Sequence, residues 1–115
     1  MQLDLKRIIV FTDDVPRLAA FYGDVLGLLV IGREQGWVEF GAGACSIALH
    51  KGKAVVGKRA PKLVFQVKDV GAARATLMKR GLATLGPVKS APGFEMCDGK
   101  DPDGNAIQLS SRRSG

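Results

Sequence analysis

The sequence predicts an α+β fold built from two tandem βαβββ modules. Three observations carry that expectation. Short β-branched runs and helix-spaced apolar residues follow in the order strand, helix, strand, strand, strand, and then in the same order again. The halves share landmarks: Asp14-Val15 answers Asp69-Val70, Gly27-Leu28 answers Gly81-Leu82, and Ile47-Ala48-Leu49 answers Ile107-Gln108-Leu109. The repeat, about 55 residues of mixed elements, is too long and varied for a solenoid unit and fits two modules. Residues 1–115 thus read as a single domain, with modules at 5–50 and 62–111 and a basic, Gly/Pro-punctuated linker at 51–61.

Each element has a local reason. Residues 6–12, KRIIVFT, are short and β-branched, a strand. Asp14 is a suitable N-cap and Pro16 suits a first helical turn. Leu18, Phe21, Tyr22, Val25 and Leu26 then recur at helical spacing, predicting a helix over 15–26 that Gly27 closes in the left-handed conformation. Strands follow at 29–33, 36–40 and 45–50, separated by turns near Glu34-Gln35-Gly36 and Gly41-Ala42-Gly43. In the second half a strand at 62–67 leads to Asp69, which caps a helix ending near Arg80 and Gly81, where Lys79 and Arg80 suit the C-terminal dipole. Three strands are expected near 83–89, 94–99 and 106–111, the last entered through the turn Asp101-Pro102-Asp103-Gly104-Asn105.

Composition excludes several classes. No run of about 18 apolar residues is present, so no membrane helix is expected. The start, Met-Gln-Leu-Asp-Leu-Lys-Arg, lacks a basic-then-apolar leader, and Cys45 and Cys97 are too few for a disulfide framework, so a cytoplasmic protein with free thiols is expected. The net charge of +6, from 17 basic and 11 acidic residues, invites a nucleic-acid reading. The basic residues are scattered, with denser groups only at Lys51/Lys53/Lys58/Arg59 and Arg112/Arg113, and no aromatic platform for bases accompanies them. Nucleic acid is therefore not the expected partner.

Alternation along the strands gives each sheet one apolar face, against its helix, and one mixed face carrying Arg7, His50, Lys62, Gln66 and Gln108. That mixed face either looks into water or lines a cup for a ligand. Trp37 and Phe40 either pack in the core or wall such a cup. Cys97 has no predicted helix N-terminus beside it, and the chain's one histidine leaves it His50 alone as a base, so a nucleophilic role is not expected. Glu39 and Glu95 are conceivable bases only if a cup buries them.

Three stretches, TDDVPRLAAFYGDVLGL (12–28), FQVKDVGAARATLMKRGL (65–82) and DPDGNAIQL (101–109), resemble the vicinal oxygen chelate superfamily, which includes glyoxalase I, bleomycin- and fosfomycin-resistance proteins and extradiol dioxygenases. The resemblance spans nearly the whole chain. It implies two βαβββ modules whose sheets curl around a cleft, commonly in a homodimer, with a divalent metal held by His, Glu or Gln from the first and last strand of each module. Those positions fall on Arg7, Ala48, Lys62 and Gln108. Arginine and lysine offer no lone pair and repel a cation, Ala48 offers nothing, and Gln108 supplies one neutral oxygen.

The expectation is thus a glyoxalase/bleomycin resistance-like small-molecule-binding protein with no metal or other cofactor. Its ligand is anionic and met by Arg7 and Lys62, with Trp37, His50, Gln66 and Gln108 as neighbours. Alternatively Arg7 and Lys62 face solvent or pair with acids such as Asp4. The alternative is an enzyme, a metal-dependent lyase, isomerase or dioxygenase of the same superfamily; a non-catalytic interaction module is a third reading.

Overall fold

The computed structural model describes residues 1–113. The chain divides into two compact units, one ending at Val55 and the next beginning at Val56. The first holds β1 (Arg7–Thr12), α1 (Val15–Ala20), a π-helical turn (Phe21–Val25), β2 (Leu29–Glu34), β3 (Trp37–Ala42) and β4 (Cys45–Lys51). The second holds β5 (Leu63–Gln66), α2 (Val70–Lys79), β6 (Lys89–Ala91), β7 (Phe94–Lys100) and β8 (Ala106–Ser110). Each forms a four-stranded mixed sheet, β1-β4-β3-β2 and β5-β8-β7-β6, so the fold is α+β with two βαβββ modules. In both, the first strand runs parallel to the last, and the others pair antiparallel.

The helix starts follow from their caps. The Asp14 carboxylate accepts the Arg17 N–H at 3.2 Å, and Asp69 accepts that of Ala72 at 3.0 Å, each satisfying a donor the helix cannot. The helix ends follow from Gly27 and Gly81, whose φ of 77° and 100° fall where a Cβ is penalised. Around Gly81 the Leu82 N–H returns to the Leu77 carbonyl at 3.0 Å, a Schellman-type closure.

The first helix departs from the expected 15–26 α-helix. It is α-helical only to Ala20 and then widens, with the Leu26 N–H bonding to the Phe21 carbonyl five residues back and Leu28 to that of Tyr22. Phe21 and Tyr22 are adjacent and both buried, Tyr22 completely. The two rings meet edge to face with centroids 5.1 Å apart, and the Tyr22 centroid lies 6.4 Å from that of the Phe40 ring on β3.

The second departure concerns 83–89, read from sequence as a strand. Only residues 89–91 pair with β7; 82–88 run as turn and irregular chain. Pro87 cannot donate to a ladder, and Leu82 and Leu85 are buried, so this segment packs into the core. It is tied to β7 by isolated hydrogen bonds, such as the Gly86 N–H to the Asp98 carbonyl at 2.8 Å, rather than by a ladder. Residues 52–62 likewise hold no helix or strand.

Each module has its own core. Val10, Val38, Phe40, Ile47 and Leu49 meet Val15, Leu18, Phe21 and Tyr22 in the first. Cys97, Ile107 and Leu109 are buried with Val70, Leu77, Leu82 and Leu85 in the second. No helix among the described residues is long and apolar enough to cross a membrane.

Candidate functional site

The face of each sheet opposite its helix carries the polar and aromatic side chains. In the first module, register sets them in rows. One row runs Ile9–Ala48–Glu39 across β1, β4 and β3, and the next runs Phe11–His50–Trp37. The second row is aromatic throughout. His50 lies between two rings, its centroid 5.4 Å from Phe11 and 5.6 Å from Trp37. Phe11 in this row and Ile9 in the row before it remain 51% and 46% exposed, so the face presents apolar surface.

Arg7 enters the same face. Its Nε donates to Glu39 Oε2 at 2.9 Å, and its guanidinium carbon stands 5.8 Å from the Trp37 ring centroid. Ser46 Oγ donates to the same Glu39 oxygen at 2.5 Å. These donors hold the Glu39 carboxyl below the usual range, Ser46 first and Arg7 second.

The second module repeats the arrangement with other residues. Rows run Val64–Gln108–Asp98 and Gln66–Ser110–Met96 across β5, β8 and β7. Lys62, just ahead of β5, reaches over so that Nζ donates to Asp98 Oδ1 at 2.8 Å. The Gln108 amide donates to the same oxygen at 2.9 Å and lies 3.8 Å from Met96 sulfur. Lys62, then Gln108, hold the Asp98 carboxyl below its usual range. Each module therefore has a cation from the start of its first strand closed onto a carboxylate in its third strand, at equivalent register. The partners are Glu39 and Asp98; Asp4 instead accepts from the Gln2 amide.

On the second module's face lies a groove of about 600 Å³. Val64, Met96 and Phe94 supply apolar walls, Gln66 and Gln108 line it, and Arg112 and Arg113 stand at it just past β8. Arg112 stacks on Phe94, its guanidinium carbon 5.1 Å from the ring centroid. Cys97 lies on the opposite, buried face, and burial pushes its thiol up, away from the reactive thiolate.

The model of the Glyoxalase/Bleomycin resistance protein/Dioxygenase superfamily matches residues 4–109. The chain belongs to this superfamily. Among solved structures of glyoxalase-like fold, it resembles TnmS3, an antibiotic-binding protein from Streptomyces sp. CB03234, at 25% identity, 94% of each chain covered and a TM-score of 0.78. It also resembles a lactoylglutathione lyase from Agrobacterium tumefaciens (19% identity, 92% of this chain and 91% of that one, TM-score 0.74) and UcmS2 (18%, 97% and 100%, TM-score 0.80). No curated protein matches the chain.

The superfamily's usual divalent metal can be tested against this donor set. Of its four expected ligand positions, Arg7 and Lys62 are cations engaged with carboxylates, Ala48 has no donor, and Gln108 turns its amide nitrogen to Asp98. Among the described residues no three of His, Cys, Asp or Glu stand together as a metal cluster. These residues do not fit the metal.

Sequence reasoning placed Arg7 and His50 on one face of the first module and left Trp37 between core and cup; the structure brings the three together. It placed Lys62, Gln66 and Gln108 on the second module's face; Lys62 and Gln108 meet at Asp98, and Gln66 lies in the groove. It missed the roles of Glu39, Asp98, Phe94 and Arg112. Register holds the signal for the first two. The turn at Gly43-Ala44 pairs Ala42 with Cys45, and counting back sets Glu39 beside Ala48; the same count from Lys100–Ala106 sets Asp98 beside Gln108.

Proposed function

We propose that this protein binds a small organic molecule on the open sheet face, without a metal ion, and that the ligand carries negative charge. The observation that carries the reading is the substitution of cation–carboxylate pairs for metal ligands at the positions the superfamily uses. Such residues offer hydrogen-bond donors, rings and a thioether but make a poor ligand set for a divalent cation, which suits recognition rather than polarisation of a substrate. The likeness to TnmS3, an antibiotic-binding protein, supports binding as the activity. The net charge of +6 and the two arginines at the groove favour an anion.

The reading extends to a cytoplasmic homodimer. Free Cys45 and Cys97 suit a reducing compartment, and Leu29, Val30 and Ile31 on edge strand β2 expose apolar surface a second subunit could cover.

The test is metal analysis of the purified protein, followed by thermal-shift screening of chelator-treated protein against aromatic and aliphatic acids. We expect no stoichiometric metal, and a melting temperature raised by several degrees for ligands near a hundredfold above Kd. Stoichiometric nickel, zinc, manganese or iron, with binding lost on chelation, would overturn the reading and favour a metal-dependent enzyme.

A further inference from the structure

We infer that the second module's groove is the anion-recognition site and that its ligand class is a flat aromatic acid. The inference rests on the binding reading above and relocates the anion contact from Arg7 and Lys62 to Arg112 and Arg113.

Arg7 and Lys62 each face a carboxylate at hydrogen-bond distance, so a ligand anion would have to compete with Glu39 or Asp98 for them. Arg112 meets an aromatic ring instead: it lies over Phe94. A guanidinium held over a ring by cation–π attraction keeps its full positive charge, and its planar fork of N–H donors is what grips a carboxylate or phosphate. Of the charged side chains on this face, Asp98 is engaged by Lys62 and Gln108, and the groove's own lining carries only cations, Arg112 and Arg113.

Position is fixed by the backbone. Beyond the end of β8, the Ser111 N–H donates to the Glu95 carbonyl at 3.0 Å, and the Glu95 N–H donates to Ser111 Oγ at 2.9 Å. The Arg112 N–H donates to Ser110 Oγ at 3.1 Å. The segment carrying Arg112 is thus tied to β7 beside Phe94, which limits the entropy lost when an anion is gripped.

Shape supplies the rest of the class. The volume of about 600 Å³ lies within the range of small-molecule sites. Its apolar walls, Val64, Met96 and Phe94, offer a branched chain, a thioether and an aromatic ring to a planar group, and Gln66 offers an amide to a polar substituent.

The experiment uses the full chain and three probes: 2-naphthoate, 2-naphthyl phosphate and the neutral 2-naphthamide, with affinity measured by calorimetry. The anions are expected to bind at least about tenfold more tightly than the amide, and Arg112→Ala with Arg113→Ala to remove that advantage. Phe94→Ala should weaken all three probes, Arg112→Lys should leave an intermediate anion affinity, and Arg7→Ala should leave affinity unchanged. Tighter binding of the phosphate than of the carboxylate keeps the inference and names the anion. Three results would overturn it: unchanged anion affinity in the double variant, a loss produced by Arg7→Ala instead, or no binding of any naphthyl probe at millimolar concentration. None of these introduces a metal, so the broader binding reading fails only by its own test.

Discussion

The two modules share a register and differ in what they do with it. Ile47 and Leu49 on β4 correspond to Ile107 and Leu109 on β8, and all four are buried. On the opposite face the row Phe11–His50–Trp37 corresponds to Gln66–Ser110–Met96. The face that meets the helix keeps its chemistry, because any change there alters packing. The open face changes from rings to amide, hydroxyl and thioether, while retaining one cation–carboxylate pair in each module. One half of this repeated scaffold thus presents an aromatic shelf and the other an arginine-edged groove of mixed lining.

One core position breaks the likeness and gives the largest expected effect. Phe40 on β3 corresponds by register to Gly99 on β7. The Phe40 ring lies against the helix, where a Cβ on Gly23 would come within 3.2 Å of it. At Gly99 a Cβ would come within 2.9 Å of Leu85, so a side chain from the 82–88 segment occupies the space over the strand. Phe40→Ala should therefore cost about 3–5 kcal/mol by urea unfolding, and Gly99→Ala about 1–3 kcal/mol by overpacking. A cost for Phe40→Ala below that of Gly99→Ala would break the comparison.

Next in size is the turn into the last strand. The first module joins β3 to β4 through Gly43-Ala44, whereas the second uses 101–105, folded around the buried Asp101. The Asp101 carboxylate accepts the backbone N–H groups of Asp103 and Asn105, both at 2.9 Å, and the Asn105 amide at 2.8 Å. Asp101→Ala strands those donors and should cost about 1–3 kcal/mol; Ala44→Gly in the first module's hairpin should change stability far less. Equal effects in parallel melts would show that the acid-built turn adds nothing.

Smaller still are the paired ions. Arg7→Ala and Lys62→Ala should each lower the melting temperature by less than about 4 °C, since exposed pairs contribute little. Arg7 should matter more, because its Glu39 partner is 12% exposed against 40% for Asp98. Reversal of that order in melts at low salt would refute the claim that the first module's pair is the better sheltered. The last effect is pH dependence. Both carboxyls are held below their unfolded values, so their contribution is complete above about pH 4–5 and declines as pH falls through the lower folded values. Asp98→Asn and Glu39→Gln should each flatten the acid limb of a melting-temperature profile; an unchanged limb in the double variant would assign acid sensitivity elsewhere.

The fold was legible because its signals are local. Asp caps, closing glycines, β-branched runs and the Asp-Pro-Asp-Gly-Asn turn each act within a few residues. The errors arose where tertiary demand overrode local pattern: 83–89 alternates enough to read as a strand, yet Leu85 is claimed by the core and only Lys89 joins the ladder. Phe21-Tyr22 fits an α-helix, yet the turn that carries these two buried rings is π-helical. At the candidate site, alternation put Arg7, His50, Lys62, Gln66 and Gln108 on the correct face. It did not supply their partners, because a cross-strand neighbour depends on register and a stacking partner such as Phe94 for Arg112 depends on where the chain goes after the strand ends.

The exchange of volume between Phe40 and the Leu85–Gly99 contact bears on how such a chain could have arisen. If a duplicated ancestor carried the same residue at both places, neither module could drift to the other's solution one residue at a time. A glycine without Leu85 leaves a hole, and a phenylalanine beneath Leu85 leaves a clash. Leu85 and Gly99 are thus a coupled substitution, and transplanting β3 or β7 alone between the halves would fail where exchanging each strand together with its packing segment would succeed.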